Sequence, residues 1–223
     1  MAHHKQQVLS LTPGEALAFL VREAQALPRD RRVAIGITGG PGVGKSTIAT
    51  QLVAALNALE PVAAYVPMDG FHMLHAKLEQ LGTVADKGAP HTFEGEAFTS
   101  FISALKNASG PVSGPGYSRE IEDVVQNAFT VAADVRLLIV EGNYLLLPDP
   151  PWHGVKPLLD LSVFIDVPRE KVRARLMKRH AEHGLFSEER NREHVERVDL
   201  SNYDLIGRSR PRADIAIDLL TDA

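Results

Sequence analysis

Apolar positions recur along this chain with two different periods. Leu17, Leu20, Val21, Ala24 and Leu27 are spaced as one face of a helix. Ahead of them, Thr12-Pro13-Gly14-Glu15 supplies a capping threonine, a proline suited to the first helical position and a glutamate that can reach back to the cap. Pro28 and the charged run Arg29 to Arg32 end that helix. Val33 to Ile37 is a short β-branched run, the pattern of a strand covered on both faces. A second helix is predicted from Lys45, with Ile48, Leu52, Ala55, Leu56 and Leu59 on one stripe. Further strands are predicted at Val62 to Met68, Leu137 to Val140, Leu161 to Val167 and Ala213 to Leu219. Thr92 is placed to cap a helix with the stripe Phe98, Phe101, Ile102 and Leu105. Pro168 opens a strongly basic helix, and Ser187 before Glu188 and Glu189 caps another.

Strands that are almost wholly apolar, alternating with helices, predict a mostly parallel five-stranded sheet inside a three-layer α/β/α sandwich. The stretch Ser109 to Gly116, rich in Gly, Pro and Ser, reads as a loop. One domain is expected over residues 1–223.

Composition narrows the partners. The 223 residues carry 24 Lys and Arg against 28 Asp and Glu, a formal charge of −4, so a nucleic-acid partner is not expected. Cysteine is absent, which excludes disulfides, thiolate metal sites and thiol nucleophiles. No run approaches the ~18 apolar residues of a spanning helix, and the start MAHHKQQVLSL has no signal-like stretch. A cytoplasmic protein with no membrane partner is expected. His3 and His4 read as a polar start.

The first predicted strand runs into Gly39-Gly40-Pro41-Gly42-Val43-Gly44-Lys45-Ser46, which satisfies G-x-x-x-x-G-K-[ST] between a strand and a helix. Glycines let backbone N–H groups close on an anion, and the following helix adds its positive end. Lys45 can reach the outer phosphates and Ser46 can hold Mg²⁺. With Thr47 these residues form the expected nucleotide site of a P-loop NTPase fold, and ATP and Mg²⁺ are the expected cofactors. Ligands in such sheets sit at the C-terminal strand edge, where two acids stand. Asp69 is suited to accept a proton from an acceptor hydroxyl, and Glu141 to hold Mg²⁺. Asp166 reads as a cap or turn residue.

Between Arg169 and Arg179 there are six Lys or Arg residues and one acid. Arginine forks suit the charge that develops on a transferring phosphoryl group. With only Val172 and Leu176 as an apolar stripe, this helix reads as a lid over about 169–190. Arg173 is the first choice for a catalytic arginine and Arg175 the next. Lys87, His91, Tyr117 and Arg119, in loop-like contexts, and His72 and Tyr144, beside the acids, are candidates for an acceptor pocket. Arg119 would suit a carboxylate or phosphate on the acceptor, or could instead contact the γ-phosphate. Arg210, in Arg208-Ser209-Arg210-Pro211-Arg212, could stack on a nucleotide base.

These parts, in this order, resemble the phosphoribulokinase/uridine kinase family of P-loop kinases: the phosphate loop, Met68-Asp69-Gly70-Phe71-His72, Glu141-Gly142-Asn143 and an arginine-rich lid. The resemblance runs from about Val33 to Leu219. It implies that Asp69 is the base, that adenine lies near the Arg210 loop, and that a homodimer is a known habit of such kinases. Lys87-Gly88-Ala89-Pro90-His91-Thr92-Phe93-Glu94 and Pro115-Gly116-Tyr117-Ser118-Arg119 are similar to the K-G-x-P-x-S-Y-D and P-x-Y-S-H stretches of bacterial pantothenate kinases. Glu94 and Arg119 depart from that pattern. The chain also resembles a bacterial group labelled fructose transport system kinases. The function expected is therefore transfer of the γ-phosphate of ATP to a small-molecule acceptor, a fructose-like sugar or sugar derivative. The alternatives are a uridine-like nucleoside, a pantothenate-type acid, or a non-catalytic nucleotide-binding regulator of a transport system. The N-K-x-D motif of guanine-specific switches and the L-S-G-G-Q signature of transporter ATPases are both missing.

Overall fold

The computed structural model describes residues 6–183 and 187–220. In chain order the elements are β1 (Gln7–Leu11), α1 (Pro13–Ala26), β2 (Val33–Thr38), α2 (Lys45–Leu59), β3 (Ala63–Pro67), α3 (His75–Leu81), α4 (Gly95–Asn107), β4 (Val112–Ser118) and β5 (Asp123–Val131). They continue as β6 (Leu137–Glu141), β7 (Leu161–Asp166), α5 (Arg169–His183), α6 (Glu188–His194), a π-turn (Val195–Asp199), α7 (Leu200–Gly207) and β8 (Ile215–Leu219).

β1, β8, β7, β2, β6 and β3 lie side by side in that order, every neighbouring pair parallel. All six residues of β2 are buried, as its unbroken apolar run requires. One face of the sheet packs Leu20, Ile48, Leu52, Leu56, Val172 and Leu176 from α1, α2 and α5. The other packs Phe98, Ile102 and Leu105 from α4 with Tyr144 and Trp152. α1 starts with the expected capping box: the Thr12 hydroxyl accepts from the Glu15 N–H, and the Glu15 carboxylate accepts from the Thr12 N–H at 2.9 Å. Ser187 likewise accepts from the Arg190 N–H at 3.3 Å.

Four sequence expectations change. The sheet has six strands, because Gln7–Leu11 adds an edge strand beside β8. None of its five residues is buried, so they carry too little apolar pattern to be read. Thr92 does not cap α4. Pro90 starts a short 3₁₀ turn, the Thr92 hydroxyl donates to the Ala89 carbonyl and accepts from Gly88 N–H, and α4 begins at Gly95. The Gly- and Pro-rich stretch is no loop either. Its second half is in β4, paired antiparallel with β5 and bulged between Gly114 and Gly116. Finally, Val172 and Leu176 are fully buried and join the core, so this part of the basic helix is anchored rather than free. The expected lid range also includes 184–186, and His3 and His4 belong to the start; these lie outside the described residues, as does the side chain of Leu59. Among the described residues no helix is long and apolar enough to cross a membrane.

Candidate active site

β2 delivers the phosphate loop to the C-terminal edge of the sheet. Gly39, Gly42 and Gly44 have φ of 147°, 76° and 97°, values that side chains rarely adopt. Gly39 also lies against β7, where a Cβ would sit 2.2 Å from the Ile165 carbonyl oxygen. Val43 is fully buried and pins the loop to the core, while Ser46 and Thr47 remain exposed. α2 starts at Lys45 with no side-chain cap, so its first N–H groups face the loop's concavity, a ready anion site.

Register sets the next residue. Glu141 ends β6 opposite Ile37 of β2 and opposite Pro67 of β3, between the phosphate loop and Asp69. Its carboxylate is 4.0 Å from Lys45 Nζ, accepts from the Ser46 hydroxyl at 3.3 Å and accepts from the Tyr65 hydroxyl at 2.8 Å. Glu141 and Lys45 are only 5% and 6% exposed. Burial pushes the Glu141 carboxyl above the ordinary carboxylate range while Lys45 pulls it back. Burial pushes the Lys45 ammonium down, opposed by Glu141 and Asp69. Lys45 also donates to the Gly40 carbonyl at 2.8 Å. Tyr65, which sequence reasoning passed over, is raised first by burial and then by Glu141. Its one signal was a hydroxyl inside an otherwise apolar strand.

Asp69 lies two residues beyond β3, in the short 3₁₀ turn Met68–Phe71. Gly70 holds that turn against the hairpin, since a Cβ there would sit 2.0 Å from the Pro115 carbonyl oxygen. Asp69 and Ser46 line a cleft of about 690 Å³ between β3 and the hairpin. Tyr65, Tyr117 and Arg119 line it as well, and Val53, Phe129 and Val135 give it an apolar wall. Tyr117 is held from behind. Its ring stacks on His72 at 4.7 Å, His72 stacks on Phe93 at 3.9 Å, and Lys87 Nζ sits 5.3 Å above the Tyr117 ring. His72 Nδ1 lies 2.8 Å from the Asp69 carbonyl oxygen, and burial lowers the imidazole's proton affinity. Arg119 is exposed at the cleft and makes no ion pair among the described residues.

The remaining candidates, apart from Arg175, stand outside the cleft. Tyr144 is fully buried and donates its hydroxyl to the Gly88 carbonyl, so it supports the 87–94 loop from the core. His91 is exposed beside Asp86 at 3.6 Å. Arg173 pairs with Glu196 at 2.5 Å on the outside of α5, and Arg175 reaches the Gly42 carbonyl at 3.4 Å. Arg210 is clamped by Asp166 at 2.7 Å and Asp218 at 2.8 Å, the ends of β7 and β8. Asp166 also accepts from its neighbour, the Val167 N–H, in keeping with the turn role expected of it. Besides Arg175 at the phosphate loop, the arginine of α5 on the side of Lys45 and Asp69 is Arg179. It is close enough to Lys45 to lower its proton affinity, and burial lowers its own, Asp199 opposing. Its signal was present: 172, 176 and 179 share one helical face, so Arg179 continues the buried stripe.

Residues 34–223 match the phosphoribulokinase / uridine kinase family. A Schizosaccharomyces pombe protein named "Putative uridine kinase C227.14" is 33% identical over 207 residues, covering 89% of this chain and 88% of its own. A pantothenate kinase from Latilactobacillus sakei is 37% identical over 135 residues, 59% of this chain and 44% of that one. Among solved structures, a "putative fructose transport system kinase" from Silicibacter sp. TM1040 superposes with a TM-score of 0.82 at 34% identity, covering 92% of this chain and 98% of its own.

Proposed function

We propose, for a chain that belongs to the phosphoribulokinase / uridine kinase family and is thereby an ATP-dependent small-molecule kinase, that the acceptor is a hydroxylated metabolite carrying an anionic group, a sugar derivative before a free sugar. One observation carries this reading. Asp69, suited to take a hydroxyl proton, and Arg119, a guanidinium with no ion pair among the described residues, line the same cleft. A carboxylate or phosphate on the acceptor would give Arg119 a bidentate partner and fix the hydroxyl toward Asp69.

The transfer is in line. An acceptor oxygen forms a bond to the γ-phosphorus, the bond from that phosphorus to the bridging oxygen breaks, and ADP leaves. Asp69 takes the hydroxyl proton. Lys45 and the first turn of α2 stabilise the phosphate charge, and Arg179 adds a guanidinium from the α5 side. Ser46 and Glu141 supply an all-oxygen pair adjoining the phosphate loop, which fits Mg²⁺. When bound there, Mg²⁺ would neutralise charge on the phosphate oxygens.

The apolar wall of Val53, Phe129 and Val135 favours an acceptor with some apolar surface. That keeps a second reading open, a pantothenate-type hydroxy acid, and the P-x-Y-S stretch Pro115 to Ser118 supports it. A neutral fructose-like sugar or uridine would leave Arg119 without use. ADP release with ATP and Mg²⁺, measured over sugar phosphates, sugar acids, pantothenate, fructose, ribose and uridine, tests the choice. Anionic acceptors are expected to raise turnover above the no-acceptor blank. Activity confined to neutral compounds would contradict the reading.

A further inference from the structure

Two histidines and an aspartate converge outside the acceptor cleft, between α5 and the bulged helix that follows it. His180 Nε2 lies 3.0 Å from Asp199 Oδ2, and the side chains are 22% and 13% exposed. The His194 ring stands edge-on to His180, centroids 5.4 Å apart. One ligand atom from each of the three residues lies within 4.8 Å of the others.

The backbone accounts for this convergence. His194 and Asp199 are five residues apart, which in a regular α-helix would separate them by about 140° around the axis. The π-turn Val195–Asp199 intervenes, and Leu200 N–H donates to the Val195 carbonyl five residues back. Its wider turn brings His194 and Asp199 round to the side facing His180. Such turns are uncommon and concentrate at functional sites. A hydrogen bond to Asp199 needs only one imidazole, and His180 already supplies it. His194 is half-buried, with no hydrogen-bond partner among the described residues. The local charge is also suitable. Arg197 is paired with Asp86 at 2.9 Å, and Glu122 at the hairpin turn adds negative potential around His194. Arg179 near Asp199 and Arg197 near His194 are the opposing positive charges.

We propose that His180, His194 and Asp199 form a binding site for a zinc-type divalent transition-metal ion, with water in a fourth position. Two imidazole nitrogens and a carboxylate oxygen suit such an ion at bonds of about 2.0–2.2 Å, which need ligand atoms roughly 3.4 Å apart. From separations of up to 4.8 Å, binding calls for an inward side-chain movement of at most about 1.4 Å. The site differs in chemistry from the Ser46 and Glu141 pair, which offers oxygen alone. Bound metal clasps α5 to the π-turn and fixes the segment carrying Arg179. That consequence rests on the kinase reading above, whereas the binding itself does not.

The test uses the full chain with His3→Ala and His4→Ala, so that the N-terminal pair offers no ligands. Co²⁺ is titrated and its visible absorption recorded, and Zn²⁺ affinity is read by competition with a chromogenic chelator. One ion per chain is expected, with an intense tetrahedral Co²⁺ spectrum. His194→Ala and Asp199→Asn should each weaken Zn²⁺ binding at least about tenfold, and Zn²⁺ should raise the Tm of the parent but not of either variant. Two variants guard against one failing to fold. Absence of stoichiometric binding, or affinity unchanged in His180→Ala and His194→Ala, would overturn the proposal.

Discussion

Lys45 and Glu141, nearly enclosed and 4.0 Å apart, are the charged pair on which the phosphate site is built. Lys45→Ala should remove turnover, since no other described ammonium stands within the loop. Asp69→Asn should lower kcat by about 10²–10⁴ with little change in the KM for ATP, the signature of a lost general base. Wild-type turnover in that variant would remove Asp69 from the mechanism. Arg179→Ala should cost more in kcat than Arg173→Ala, because Arg173 is spent on Glu196 outside the site; equal effects would return Arg173 to consideration. The positions of Lys45, Ser46, Asp69 and Glu141 were legible in the sequence because each lies at or just beyond a strand end or opens a helix, and strand ends converge. The choice among arginines was harder to read, because it turns on how α5 is rotated, and only the 172–176–179 stripe signals that. That rotation is set by Val172 and Leu176 burying against the core.

The hairpin is the element that gives the cleft its outer wall, and it was the least legible. Gly114, Pro115 and Gly116 carry the composition of a loop. The strand forms because Gly114 admits the Phe101 and Phe129 rings, where a Cβ would sit 2.6 and 2.4 Å from them. Gly70→Ala should push the hairpin off the Asp69 turn, raising the acceptor KM well before the KM for ATP. An unchanged acceptor KM would show that the wall is not part of the site. Below the sheet, Asp160 ties three segments together. It accepts from Lys106 of α4 at 2.7 Å, from Arg31 at 2.7 Å and from the Ala34 N–H of β2 at 2.8 Å. Burial pushes its carboxyl up, but these donors outweigh burial and hold it below the ordinary range. Its contribution is therefore complete above the unfolded carboxylate pKa and lost as pH falls through the lower folded value. Asp160→Asn should cost about 1–3 kcal/mol at neutral pH. The gap from wild type should close in acid, and a gap independent of pH would contradict the assignment.

For the whole molecule, the alternation of apolar strands and helices was enough to identify a parallel sheet covered on both faces. The edge strand β1 escaped because none of its five residues is buried, which leaves it little apolar pattern. Family membership and the phosphate loop agree on an ATP-dependent small-molecule kinase, while the acceptor is argued from one cleft. Arg119 is the residue that separates the readings. The most direct measurement is kcat/KM for an anionic and a neutral acceptor, in the wild type and in Arg119→Ala. The account predicts that the wild type prefers the anionic acceptor, and that Arg119→Ala loses about 1.5–3 kcal/mol of that preference, or roughly 10–150-fold, through KM. The neutral acceptor and the KM for ATP should be nearly unmoved. Equal losses on both acceptors, or none on the anionic one, would contradict it.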